Sequence, residues 1–261
     1  MKPKNKSASL AGVAKTILAM TMLVSSAFVP AVADTLADVK AKGVMTAGNS
    51  GSYPPFEYMA DGKLTGFDVD LAEELGRRMG IKIQFTIVDF KGIVASLTSK
   101  RVDVLITALT KTPERAQQIL FSEPYYDAGT GAAVLVSSNI KKPEDLEGKT
   151  IGLQIGSSGE RYARTELTKY TFKTKTYDDF VLAVNDLKNK RVDAVLNSLP
   201  SLKYNTRNDP AITVTQTWSP SDVGINTRKE DTALMDEINK HLIAMKKDGF
   251  LKSLDVKWFG R

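Results

Sequence analysis

Short runs of Val, Ile and Leu alternate along this chain with stretches whose apolar residues recur every three or four positions. Residues 43–47 and 81–88 carry the first pattern and are predicted as strands. Between them Leu71, Ala72, Leu75 and Met79 fall on one helical face, which Asp68 is placed to cap and Gly80 to end. Leu234, Ile238, Leu242 and Met245 form a second stripe, stopped by Gly249. Strand and helix patterns in alternation predict the α/β class with largely parallel sheets.

One block of this pattern occurs twice, ninety positions apart. Asp89-Phe90 recurs as Asp179-Phe180, Val94 and Leu97 as Val184 and Leu187, and Leu109 as Leu199. Lys100-Arg101-Val102-Asp103 recurs as Lys190-Arg191-Val192-Asp193. Each copy predicts a helix, a charged turn and a buried strand, over 102–108 and 192–196. Two copies imply two similar α/β lobes, since a solenoid needs at least three repeats. Ligands of open α/β sheets sit beyond the carboxyl ends of the strands, so 107–110 and 197–198 are predicted to face each other across an interlobe cleft.

The formal net charge of +6 first suggests an acidic partner such as nucleic acid. Its distribution removes that reading. Lys2, Lys4, Lys6 and Lys15 precede an apolar run over 16–29, and Ala31-Val32-Ala33 is a small-residue cleavage pattern. This is the layout of a secretory signal peptide over residues 1–33, too short for the ~20 residues that span a bilayer. Without those four lysines, 32 basic residues face 30 acidic ones and the net charge falls to +2. No cysteine follows the apolar run, so no lipid anchor is expected there. The absence of cysteine from the whole chain excludes disulfides, thiolate metal sites and thiol catalysis, and a single histidine, His241, excludes a multi-histidine site. No cofactor or metal is expected. His241 borders an apolar helical stripe and reads as a partly buried helix residue.

Several motifs fail on inspection. Gly148-Lys149-Thr150 resembles the end of a P-loop, but Pro143 stands where the first glycine is needed. Gly129-Thr130-Gly131 is followed by Val134 where a dinucleotide fingerprint needs a small residue. Arg115 is more informative. Thr112 is placed to cap a helix that Pro113 opens, which puts Arg115 in the first turn, where a cation opposes the helix dipole. A guanidinium beside free helix N–H groups is suited to an anion, although a solvated surface arginine fits the same pattern. Gly156-Ser157-Ser158-Gly159-Glu160 follows a strand over 151–155 and forms a second anion-receptive turn. Tyr53-Pro54-Pro55-Phe56 is a rigid turn carrying two aromatics, and Phe90 opens the first copy of the repeat; either could flank an organic ligand or belong to the core.

Together these residues resemble the family 3 extracellular solute-binding proteins, the polar-amino-acid receptors of ABC importers. The resemblance runs through 48–56, Gly66-Phe67-Asp68-Val69-Asp70-Leu71, Thr110-Lys111-Thr112-Pro113-Glu114-Arg115, Phe121-Ser122-Glu123-Pro124-Tyr125-Tyr126, Val192-Asp193-Ala194-Val195 and the closing Lys257-Trp258-Phe259-Gly260. It implies a two-lobed type II periplasmic-binding-protein fold with hinge crossovers near 131–137 and 222–227. Lobe 1 would comprise 34–130 plus 226–261, and lobe 2 would comprise 131–225. By the same resemblance Arg115 holds a ligand α-carboxylate, Ala108 and Thr110 touch the ligand beside it, Tyr53 and Phe90 flank it, and Ser157 and Ser158 donate from the second lobe. Two acids of the family are missing. The position that usually pairs the α-ammonium is Ser198, after Asn197, and an acidic position of the first loop is Ser50. Because an unpaired buried ammonium is costly, Asp222 is a candidate substitute, or the ligand lacks that group.

The expectation is therefore a monomeric periplasmic receptor that closes around a small carboxylate, an amino acid or a derivative, and delivers it to an inner-membrane ABC permease. Nucleic acid is not expected as a partner. The rival reading is an enzyme on the same fold resembling the periplasmic cyclohexadienyl dehydratases. That chemistry needs a general acid in the cleft, which Ser198 does not supply. A membrane sensor domain is a third possibility, with no sequence support for a following span.

Overall fold

The computed structural model describes residues 35–260, and the expected signal peptide lies outside them. The chain builds two five-stranded sheets with one shared plan. In the first, Lys82–Ile87, Val44–Asn49 and Val104–Leu105 run parallel. Asn226–Arg228 then lies antiparallel between Val104–Leu105 and Ile119–Phe121. In the second, Lys173–Tyr177, Thr150–Gln154 and Ala194–Ser198 run parallel. Thr130–Leu135 lies antiparallel between Ala194–Ser198 and Ile212–Val214. The sheets are thus mixed rather than largely parallel, because each receives a strand from a chain run arriving out of the other sheet.

The repeated block shows why the plan is shared. Its helices are Ile93–Thr98 and Phe180–Lys188, and each turn places a non-glycine residue in the left-handed region, Lys100 at φ 63° and Lys190 at φ 58°. The aspartate that follows then reaches the first strand of its own sheet. Thr46 N donates to Asp103 Oδ2 at 2.8 Å, and Thr150 N donates to Asp193 Oδ2 at 2.7 Å. Beyond this clamp the copies differ. The strand predicted over 102–108 is cut to Val104–Leu105, because its antiparallel neighbour meets it only at Leu105 and Ala108 N turns to a side-chain acceptor. The second strand runs on to Ser198, paired along its length with Thr130–Leu135.

The first long helix is Phe67–Met79, ended by Gly80 at φ 71° as the sequence predicts. Its cap is a correction. Gly66, not Asp68, stands at the N-cap, at φ 136° with a hypothetical Cβ 2.1 Å from the Phe56 carbonyl oxygen, so only glycine fits. Asp68 is instead turned into the protein and fully buried. Leu71, Ala72 and Leu75, on the same helical face as Asp68, pack in one core with Leu234, Ile238, Leu242 and Met245 of helix Thr232–Lys247. Burial of each leucine-sized side chain stabilises by roughly 1.5–3 kcal/mol. Gly249, in the left-handed region, separates that helix from Phe250–Phe259.

The chain passes between the sheets twice, and on the way Tyr126–Asp127 pairs antiparallel with Asp222–Val223. Residues 131–135, expected near a hinge, lie within a strand of the second sheet. Among the described residues no helix is long and apolar enough to cross a membrane.

Candidate functional site

The backbone of Arg115 is positioned by local structure and its side chain by a distant contact. Pro113 opens helix Pro113–Gln118, and Thr112 Oγ1 accepts from Arg115 N at 3.2 Å as the N-cap. The side chain then folds back, Nη1 donating to the Thr110 carbonyl at 2.9 Å and Nη2 to the Gly156 carbonyl at 2.6 Å. Its guanidinium lies 5.9 Å from the centre of the Phe90 ring. Burial, with a smaller contribution from Arg161, lowers its pKa to about 10, which leaves the cation intact at neutral pH. Among the described residues no carboxylate lies within ion-pair distance of Arg115, so its charge is available to an anion.

The glycine-serine turn brings the opposite rim. Ser157 Oγ accepts from Glu160 N at 3.1 Å as the N-cap of helix Ser158–Thr165, while Glu160 Oε2 accepts from Gly156 N, one residue before the cap, at 2.7 Å. Gly159 lets this helix lie directly on the neighbouring strand, for a Cβ there would stand 2.0 Å from the Leu196 carbonyl oxygen. Ser158 is consequently buried beside that strand, and its Oγ has no partner. A buried hydroxyl left without a partner is costly and points to an acceptor from outside the chain.

Tyr53 reaches across to the end of that strand. Its hydroxyl donates to Asn197 Oδ1 at 2.8 Å and, having one proton, accepts from Ser198 Oγ at 2.6 Å. The ring is fixed by Phe56, stacked at 5.8 Å, and by Phe180, edge-on at 5.6 Å. Burial pushes the phenol up to about 12, so it stays neutral. Asn197 Oδ1 also accepts from Ser198 N at 2.9 Å, and Asn197 Nδ2 is a second buried polar atom with no partner.

Behind this surface lies a carboxyl pair that the sequence reading did not find. Glu57 and Asp68 are both fully buried. Glu57 Oε1 accepts from Ser50 Oγ at 3.1 Å and from Thr107 Oγ1 through a short hydrogen bond. Asp68 accepts from Ala108 N at 2.6 Å and from the Tyr125 hydroxyl at 2.9 Å. Burial first, and then Asp68, hold the Glu57 carboxyl well above the usual range, while burial raises Asp68 to about 7. Glu57 Oε2 is buried with no hydrogen-bond partner among the described residues, which adds to the cost of ionising this carboxyl. Two buried carboxyls this close do not both ionise. The pair holds Ala108 at φ 45° and ties down Ser50 and Thr107, so it shapes the rim without lying on it. An acid in an apolar context, Phe56-Glu57-Tyr58, was the available signal.

The structure therefore brings Phe90, Arg115, Ser157 and Ser158 into one group and Tyr53, Asn197 and Ser198 into another. Ser50 and Ala108 lie over the carboxyl pair. Thr110 joins them through its carbonyl on Arg115, its Oγ1 lying 3.1 Å from Ser221 Oγ. Asp222 is set apart. It is exposed on the crossing ribbon, its carbonyl accepts from Lys111 N at 3.0 Å, and no contact joins its carboxylate to the other site residues. A carboxylate in water gains little from a partner, which weakens it as a substitute acid.

The model of the bacterial extracellular solute-binding proteins, family 3, matches residues 45–261. Among characterised proteins, the L-cystine-binding protein TcyJ of Escherichia coli (strain K12) is 35% identical over 227 residues, covering 85% of this chain and 85% of that protein. The arginine-binding extracellular protein ArtP of Bacillus subtilis (strain 168) is 33% identical over 221 residues, covering 84% and 87% respectively. The crystal structure of the ancestral amino acid-binding protein AncCDT-1, described as a precursor of cyclohexadienyl dehydratase, superposes with a TM-score of 0.81 at 31% identity, covering 86% of this chain and 99% of that one.

Proposed function

The chain belongs to the bacterial extracellular solute-binding proteins of family 3, and on that footing we propose that it captures an amino acid, or a close derivative, between two lobes and hands it to an ABC permease. It is a solute-binding protein of the two-lobed periplasmic type and not an enzyme. The observation that carries the ligand class is Arg115, a cation with no carboxylate partner among the described residues, facing the Gly156 carbonyl across the cleft. A ligand carboxylate would take the guanidinium and the Ser158 hydroxyl. Its body would lie against Phe90 and Tyr53, and Ala108, Thr110, Ser157, Asn197, Ser198 and Ser50 would complete the wall. Since the ligand touches residues of both sheets, binding favours the closed arrangement over an open one.

In this reading lobe 1 comprises 34–130 plus 226–261 and lobe 2 comprises 131–225. The protein works as a monomer in the periplasm after removal of residues 1–33. L-cystine and L-arginine, the ligands named for the two relatives, head the list of candidates.

The test is a thermal-shift screen across amino acids, L-cystine, opines and simple carboxylates, repeated with the decarboxylated amine of each hit. A ligand at 100 times its dissociation constant adds ~2.7 kcal/mol of stability, a readily measured rise in melting temperature. The expected result is a rise with one or a few α-amino carboxylates and none with the matching amines. Stabilisation by amines alone would refute the carboxylate assignment.

A further inference from the structure

A cavity of about 500 Å³ lies on the far side of the two segments that carry Tyr53 and Ser198. Tyr53 and Ser198 meet in the cleft, whereas Pro55, Leu199 and Pro200, one or two residues further along the chain, line this second space. None of Tyr53, Phe90, Arg115, Ser157, Ser158 or Ser198 borders it. Its volume falls within the range of pockets that enclose small organic ligands.

Its chemistry is that of an anion receptor with aromatic walls. Lys203 and Arg207, on and just beyond helix Leu199–Thr206, both line it. Among the described residues neither has a carboxylate within ion-pair distance. Arg207 is held flat, its guanidinium 3.6 Å from the centre of the Tyr204 ring and Nη1 donating to the Tyr204 carbonyl. The cavity's one carboxylate, Asp127, is occupied: its Oδ1 accepts from Gly129 N at 3.0 Å and from Ser221 N at 3.1 Å. Trp258 and Phe259 of the C-terminal helix form the facing wall, and the Trp258 indole N–H is committed to Asp70 at 2.6 Å. Two unpaired cations opposite a largely apolar wall select a flat body carrying a negative group.

We propose that this cavity is a second ligand site, taking a small aromatic carboxylate, and that its occupancy tightens ligand binding in the cleft. The coupling follows from where the walls come from. Trp258 and Phe259 pack with the first sheet's core, while Leu199–Thr206 packs on the second sheet. A molecule touching both favours the arrangement in which Tyr53 and Ser198 are joined, and the effect is reciprocal. This second part rests on the reading of the cleft as an amino-acid site.

The test uses 4-hydroxybenzoate as probe, titrated calorimetrically into the full mature protein. The probe is expected to bind, with affinity reduced at least about tenfold in the Lys203→Gln/Arg207→Gln variant and similarly reduced for the neutral 4-hydroxybenzyl alcohol. Arg115→Met, which removes only the cross-cleft bond to Gly156, should weaken the probe much less than the double variant does. Both substituted residues are exposed, so an unchanged melting temperature verifies the fold of the double variant. No binding, or binding lost in Arg115→Met and kept in the double variant, overturns the site. The coupling is read from the affinity of the amino acid found by the screen, with and without saturating 4-hydroxybenzoate. An affinity that does not rise overturns it. If no amino acid binds at all, the reading of the cleft fails while the probe titration still decides the cavity.

Discussion

Ser198 Oγ and the Tyr53 hydroxyl share a hydrogen bond of 2.6 Å, although the two residues lie 145 positions apart and belong to opposite walls of the cleft. By the family resemblance, Ser198 is the position at which an acid is usually expected to pair the α-ammonium. Tyr53→Phe leaves both Ser198 Oγ and Asn197 Oδ1 short of one partner, which weakens the closed arrangement by about 1 kcal/mol. The ligand-free variant should therefore have a larger radius of gyration in small-angle X-ray scattering than the ligand-free wild type. Equal radii would show that this bond does not hold the lobes together.

Restoring the acid asks what the ligand carries. Ser198→Asp should tighten binding of ligands with a free α-ammonium by about ten- to a hundredfold, since a hydrogen bond to a charged group contributes roughly 1.5–3 kcal/mol. N-acetylated forms of the same ligands should lose affinity. An equal response from both forms would mean that the ammonium is not read at this position.

Removal of the Arg115 charge should cost the most. Arg115→Met is expected to weaken amino-acid binding by roughly 2–5 kcal/mol, the range for unpairing a desolvated charge. Titration calorimetry measures this directly, and near-normal affinity would contradict the carboxylate assignment.

The Glu57–Asp68 pair predicts how stability depends on pH. Asp68 rises from its ordinary value of 3.8 to about 7 on folding, because burial disfavours its charge. Between these values the folded protein binds more protons than the unfolded chain. The contribution of Asp68 is thus fully present below about pH 4 and is lost as pH rises through about 7. Urea denaturation at a series of pH values should show this fall in the wild type and a flatter profile in Asp68→Asn. A profile that rises over that window in the wild type alone would reverse the assignment.

Gly159→Ala tests the seat of the second rim. The added methyl meets the Leu196 carbonyl oxygen at 2.0 Å, so the helix must move off its strand. Overpacking of this kind costs typically 1–3 kcal/mol. A lowered melting temperature and weaker ligand binding are expected together, because Ser158 moves with the helix.

How much of this was legible in the sequence follows the range of the interactions. Thr112, Pro113 and Arg115 interact within three residues, so the cap and the turn that aims the guanidinium could be read directly. The repeated block was legible because each copy closes on its own sheet through the same aspartate. Asp68 was misread. Its local spacing is that of a cap, but its partners are Ala108 and Tyr125, 40 and 57 residues away. Glu57 was missed for the same reason: nothing near it in sequence announces Thr107 or Asp68. The strand over 102–108 was overextended because its apolar run continues where its antiparallel neighbour does not.

The placement of Asn226–Arg228 inside the first sheet also sets an order of events. That strand lies between Val104–Leu105 and Ile119–Phe121, so the first sheet keeps two unsatisfied edges until the last seventh of the chain is available. The second sheet draws all five of its strands from 130–214 and has no such debt. A chain released from its N-terminus onward can complete its second sheet while the first, begun earlier, still waits. Any factor that must keep this protein unfolded therefore has its most demanding task in the middle of the sequence rather than at its start.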